Sequence, residues 1–313
     1  MRYSLLLAGL FLLIGCTKKE DSTGNSTALL PEPEATSFAG KPLYPKPADT
    51  LARRKADSVL SLLQAKNDLS EDDYIEIGRQ YVSTNRYRLA VANYTEGLKK
   101  YPESFKLLRN RGHRYITLRE LDKAIADLEK AEKLIRNQPD VWEYDAAGKP
   151  VATYQHQIWY HMGVYNYLTK NYAEAASAFE HALAATKETK NMVGASDWLY
   201  NCYMRSGQEK KAEELLKPFT ATYDTDRDHP YFRRIMLYKG LIKPEDLMDE
   251  NIEADKMTVL DITKMYGLAN WYAYHGNKEK ANTLYWKILS TKNWEGFAYA
   301  ASEKEVDNSA PKH

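Results

Sequence analysis

The residues of this chain that could do chemistry are scattered, and most of the spacings that chemistry needs are missing. Asp224, Asp226 and Asp228 alternate as at the start of a calcium loop. Such a loop needs glycine at its sixth place to turn and a bidentate glutamate at its twelfth. Those places hold His229 and Ile235, so the run reads as an acidic turn ahead of Pro230. The seven histidines include no His-Glu-x-x-His and no pair four residues apart, the spacing that holds zinc on a helix. A glycine-rich phosphate loop and a Gly-x-Ser-x-Gly elbow are both missing, so nothing marks an anion cradle or a nucleophile. Catalysis, a cofactor and a metal are therefore not expected. Of the two cysteines, Cys202 lies between Tyr200 and Tyr203 and reads as a small buried apolar residue. No Cys-x-x-Cys occurs, and with Cys16 used otherwise no internal disulfide can form. What remains is contact chemistry: rings beside amides, imidazoles and single charges. That mixture suits an extended peptide or protein tail held by hydrogen bonds and stacking.

Contact residues need elements to hold them, and residues 71–104 show which. Tyr74-x-x-Ile77-Gly78-x-x-Tyr81 is followed by Ala90, Tyr94, Gly97 and Pro102. Two antiparallel helices that cross closely would need Gly78 and Ala90 small, with Tyr74, Tyr81 and Tyr94 filling the gaps around them. Ser70 and Asp73 form a capping-box pattern at the start of the first helix. The spacing resembles a tetratricopeptide (TPR) repeat of about 34 residues. One such hairpin cannot bury its own apolar face, so neighbours must stack on it. Residues 105–139 keep the register with Leu108, Gly112, Tyr115, Ala124 and Leu128. Residues 156–189 do so with Trp159, Gly163, Tyr172, Ala175 and Phe179. In 193–223 the pattern holds at Leu199, Tyr203, Gly207, Ala212 and Leu216, and Pro218 should shorten the second helix. The last unit, 262–292, is clean again at Met265, Ala269, Tyr272, Ala281 and Tyr285. The expected fold is an all-α TPR-type solenoid spanning residues 47–302. It has about five helical hairpins, a capping helix over 49–69 and a closing helix around Trp294, Phe297 and Ala301. Most of the 24 tyrosines then serve ring packing.

Three segments depart from the repeat. Residues 141–154 read as two short extended pieces around a turn, either a functional loop or a hairpin lid over repeat edges. Residues 223–261 are degenerate, with a helix expected from Pro230 to Tyr238. Residues 303–313 are expected as a frayed tail.

In TPR arrays the first helix of each repeat lines the inner face. That resemblance implies a binding groove made of Arg79, Asn110, His113, Tyr160, His161, Tyr167, Asp197, Asn201, Asn270 and Tyr274. The clamp by which some TPR domains hold a C-terminal carboxylate is not matched: its places hold Ile75, Arg79, Asn110, Gln157 and His161, of which only Asn110 fits. The alternative to a protein or peptide partner is a glycan bound at a cell surface, with Trp142 and Trp198 as the rings to test.

Arg2 followed by an apolar run to Ile14 describes a signal peptide over residues 1–15, too short to span a membrane. Leu13-Ile14-Gly15-Cys16 resembles the bacterial lipobox, which implies a lipid on Cys16 and an outer-membrane anchor. Residues 16–46, rich in Ser, Thr and Pro, are expected as a disordered tether. Lys18-Lys19-Glu20-Asp21 resembles the surface-export signal of Bacteroidota lipoproteins, and both periplasmic and surface-facing placements stay open. Lys and Arg total 44 against 43 acidic residues, and without Arg2 the counts are equal. A chain with no net charge has no long-range attraction for nucleic acid. Finally, Ile158-Trp-Tyr-His161-Met-Gly163, Lys243-Pro-Glu-Asp246 and Tyr266-Gly-Leu-Ala-Asn270-Trp271-Tyr272 resemble one family of exported bacterial TPR proteins. Trp142-Glu-x-Asp145-x-x-Gly148 is similar to that family's inserted loop. The resemblance implies fold and export, and no catalytic activity.

Overall fold

A computed structural model describes residues 32–306 apart from 140, 146, 147 and 187. Cys16, the expected signal peptide, the first half of the expected tether and residues 307–313 lie outside the described residues. Helix α1 (Thr50–Gln64) precedes a hairpin of α2 (Glu71–Ser83) and α3 (Tyr87–Lys100), then one of α4 (Phe105–Thr117) and α5 (Leu121–Ile135). A short antiparallel ribbon, β3 (Trp142–Tyr144) and β4 (Pro150–Thr153), interrupts the helices. The third hairpin is α6 (Tyr154–Leu168) with α7 (Tyr172–Ala184), and the fourth is α8 (Thr189–Arg205) with the short α9 (Glu209–Leu216). Helices α10 (Pro230–Tyr238) and α11 (Pro244–Leu247) follow, then α12 (Val259–Tyr274), α13 (Lys278–Leu289) and α14 (Phe297–Glu305). A second ribbon, β1 (Ala35–Thr36) with β2 (Pro42–Leu43), lies ahead of α1.

The repeat register holds atom by atom. Ala90, Ala124, Ala175, Ala212 and Ala281 are all buried where the two helices of each hairpin touch. A Cβ on Gly78 would sit 2.2 Å from the Tyr94 ring, and one on Gly163 would sit 2.7 Å from Phe179. The missing side chain in the first helix is therefore what admits the ring of the second. Between the paired helices the chain turns through one left-handed residue at the same place in each unit: Asn85, Arg119, Lys170, Gly207 and Gly276. Ser70 caps α2 through the reciprocal box with Asp73, and Thr258 caps α12 in the same way with Asp261. Tyr200, standing where a small residue is usual, stacks on Tyr238 of α10 at 4.4 Å. Helix α10 so joins α8 to α12 across the degenerate segment, and α9 ends before Pro218 as expected.

Two boundaries differ from expectation. Residues 33–46, placed in the tether, instead dock on the solenoid: Ala35 and Leu43 are 1% and 4% exposed and join the main core. Proline-rich segments lack apolar residues to bury on their own, but this one borrows a surface made by the far end of the chain. Lys46 pairs with Glu295 at 2.6 Å, and the Trp294 indole donates to the Tyr44 carbonyl at 2.6 Å. The tail also begins later than residue 303. Glu303 is held by Arg119 at 3.2 Å and Glu305 by Arg205 at 2.8 Å, so α14 is ordered to its end.

Candidate functional site

The first helices of the repeats, α2, α4, α6, α8 and α12, form the inner face on which a groove was expected. Much of that face is already occupied. Helix α14 packs on α6 and α12, and its Phe297 ring lies 5.3 Å from His113 and 5.9 Å from His161. The two imidazoles face each other at 4.1 Å, and burial pushes both well below the usual histidine range. His161 Nδ1–H donates to the Gln157 carbonyl, and the residue has almost no exposed surface.

Deeper in the stack, five of the expected groove residues are structural. Asp197, Asn201 and Asn270 are each 0% exposed, and His161 and Tyr167 are also buried. The Asp197 carboxylate meets Arg234 of α10 at 2.7 Å with neither side chain reaching solvent. Gly267 of α12 leaves the space for that arginine: a Cβ there would lie 2.4 Å from Nε. Asn201 accepts from the Asn270 amide at 2.8 Å and from the Tyr274 hydroxyl at 2.9 Å. Asn270 in turn accepts from Arg205 at 3.0 Å and from Tyr285 at 2.6 Å. Tyr167 and Tyr266 share a hydroxyl contact at 2.9 Å, and Tyr160 accepts from the Trp198 indole at 2.9 Å. Buried polar groups need partners: the Asn201 and Asn270 amides find them across helices, while Asp197 and Arg234 offset each other's charge as an ion pair without a hydrogen bond between them. Tyr160 and Tyr274 are half-buried and spend their hydroxyls on Trp198 and Asn201, while the five buried residues knit the inner helices together and present no surface to a partner. That corrects the groove reading for them. The spacing that puts a side chain on the inner face is the same whether water, a ligand or another helix covers it.

Toward the first two repeats the inner face opens. A cleft of 480 Å³ lies between α2, α4 and the β3–β4 ribbon. Arg79, Asn110 and His113, three of the expected residues, line it. With them stand Arg109 and Arg114 of α4 and Gln157 of α6. The ribbon contributes Glu143, whose carboxylate takes both Arg109 (3.0 Å) and Arg79 (3.0 Å). Burial would raise the Glu143 carboxyl, but Arg109 and Arg79 outweigh it and hold it below its usual range. The ribbon is thus pinned across the repeat edges, with the exposed Tyr144 at the rim. Arg109 was missed although its place, fifth in its repeat, is an inner-face place. Arg114 and Glu143 were missed because nothing in the periodicity marks them. No group of three or more His, Cys, Asp or Glu side chains able to hold a metal occurs among the described residues.

Repeated hairpins with one register, stacked through alanine and glycine contacts, make this an all-α solenoid of TPR-type repeats. Residues 75–140 match the family model for the tetratricopeptide repeat. The human tetratricopeptide repeat protein 12 is 25% identical over 185 residues, 58% of this chain and 22% of that protein. The chain thus spans less than a quarter of that relative's length. Among solved structures, a TPR protein from Parabacteroides merdae matches with a TM-score of 0.45 and 15% identity, over 80% of this chain and 90% of that one. PilW, described as a widely conserved type IV pilus biogenesis factor, gives 0.42 and 20%, covering 74% of this chain and 89% of that one.

Proposed function

We propose that the chain is a lipid-anchored interaction scaffold of the bacterial cell envelope that holds a protein or peptide in the cleft between α2, α4 and the β3–β4 ribbon. One observation carries the choice of site: the chain's own α14 covers the inner face at His113 and His161, while beside Arg79 and Asn110 the face stays open as a 480 Å³ cleft. Its size is that of a pocket for a few side chains. Arginine, amide and tyrosine groups supply the polar and stacking contacts that extended peptides use. The anchor rests on Leu13-Ile14-Gly15-Cys16 and on the Ser-, Thr- and Pro-rich stretch behind it. The glycan alternative loses its basis, since Trp198 is 1% exposed and the pair with Trp142 cannot form a sugar platform.

Affinity purification from membranes, followed by mass spectrometry, tests the cleft. Tyr144→Ala combined with Gln157→Ala, two cleft residues outside the Glu143 ion pairs, should lose the partners that the unaltered chain recovers, with thermal stability changed by no more than about 1–2 kcal/mol. Recovery of the same partners would place the interaction elsewhere. Cys16→Ser tests the anchor: the protein should leave the membrane fraction and carry no lipid, and unchanged fractionation would overturn this part.

A further inference from the structure

Within the cleft one cation stands apart. Arg79 and Arg109 are ion-paired with Glu143, although Arg109 Nε has no hydrogen-bond partner among the described residues, and Glu76 lies against Arg79 at 3.6 Å. Asp145 at the ribbon turn accepts from the Lys149 amide at 2.9 Å. Arg114 lines the same cleft on α4, half-buried, over the Tyr87 ring at 5.8 Å. Among the described residues its guanidinium makes no ion pair and no hydrogen bond. Burial, with Arg109 nearby adding like-charge repulsion, draws its pKa down, so the charged form is poorly compensated where it sits.

A half-buried guanidinium that faces the cleft with no anion beside it among the described residues leaves its charge to solvent and the Tyr87 ring, and an incoming anion would gain a charge-assisted bond there. It would displace no internal partner, whereas at Arg79 and Arg109 it would have to expel Glu143. Glu143 itself shows which anion this surface accepts, a carboxylate delivered from an extended strand. The rim beyond it carries the exposed Tyr144 and the half-buried Val151, an apolar contact for a neighbouring residue. We infer that the cleft reads an internal acidic side chain of an extended peptide, its carboxylate taken by Arg114 and the flanking residue packed on Tyr144. The inference rests on the proposal that this cleft is the partner site, and it names that partner's chemistry.

Three blocked pentapeptides with a fluorescent label separate the possibilities by anisotropy against the purified chain. One is amidated and carries a central glutamate, the second carries glutamine there, and the third carries glutamine with a free C-terminal carboxylate. The glutamate peptide should bind about tenfold more tightly than the glutamine peptide, the ratio for about 1.4 kcal/mol. Arg114→Gln should erase that preference, and Arg114→Lys should keep most of it. Circular dichroism melts of both variants check that they fold. If the glutamate and glutamine peptides bind equally and Arg114→Gln alters neither, the carboxylate inference fails while the cleft stands. Preference for the free C-terminus would likewise overturn the internal-side-chain reading. If no peptide binds the unaltered chain, the cleft itself is wrong as a partner site.

Discussion

At the residue scale, the buried imidazoles give the molecule a sensitivity to acid. His113, His156 and His161 are held below the usual histidine value of 6.5, chiefly by burial. The folded chain therefore keeps them neutral while the unfolded chain takes up protons as pH falls past about 6.5. Stability is full above that pH and is lost below it, by up to about 1.4 kcal/mol per pH unit for each histidine that stays unprotonated. Melting temperature should fall between pH 6.5 and pH 5, and His161→Phe should flatten the slope by removing one titrating site. An unchanged slope would mean that His161 does not stay neutral in the fold. The same residue shows the limit of reading a side chain from its repeat position. His161 was expected on an open groove and is instead covered by Phe297, 136 positions further along the chain.

At the element scale, one carboxylate fastens the α2–α4 side of the β3–β4 ribbon, while Asn191 holds the Val151 carbonyl on its other side. The ribbon's strands are three and four residues long, too short to be stable alone. Glu143 fastens it to α2 and α4 through Arg79 and Arg109. Removing one partner of a buried ion pair leaves the other uncompensated and costs about 3–5 kcal/mol. Glu143→Gln should therefore lower stability by an amount toward the low end of that range, because Arg79 stays a third exposed. Amide exchange at 142–144 and 150–153 should quicken first, ahead of α2 and α4. Uniform exchange across the chain would show that other contacts hold the ribbon. Its two extended pieces and turn were legible in the alternation and in Gly148, and its register and docking were not, because they depend on arginines 34 and 64 positions away.

At the scale of the whole described unit, the two ends of the solenoid are tied to each other. Trp294 stacks edge-on against Tyr87 at 5.4 Å and donates to Tyr44, while Arg119 bonds its carbonyl at 2.8 Å. One residue so joins the β1–β2 ribbon, the first repeat, the second repeat and the start of α14. Large-to-small changes at buried tryptophans cost about 3–5 kcal/mol. Trp294→Ala should lose stability in that range and expose residues 33–46 to limited proteolysis under native conditions. If those residues stay protected, the ribbon is held by Ala35 and Leu43 rather than by the tryptophan.

The sequence by itself determined the helical hairpins, their register and their stacking, because a small residue facing a ring across two helices is a local pattern that repeats. It determined the interruption at 141–154 for the converse reason, a change of period. It did not determine what covers the inner face. Whether an inward side chain meets water, α14 or a helix such as α10 is decided by segments far apart in the chain. Only the tertiary structure brings Phe297 onto His113, Arg234 onto Asp197 and Glu143 onto Arg109, and so leaves the cleft beside Arg114 open.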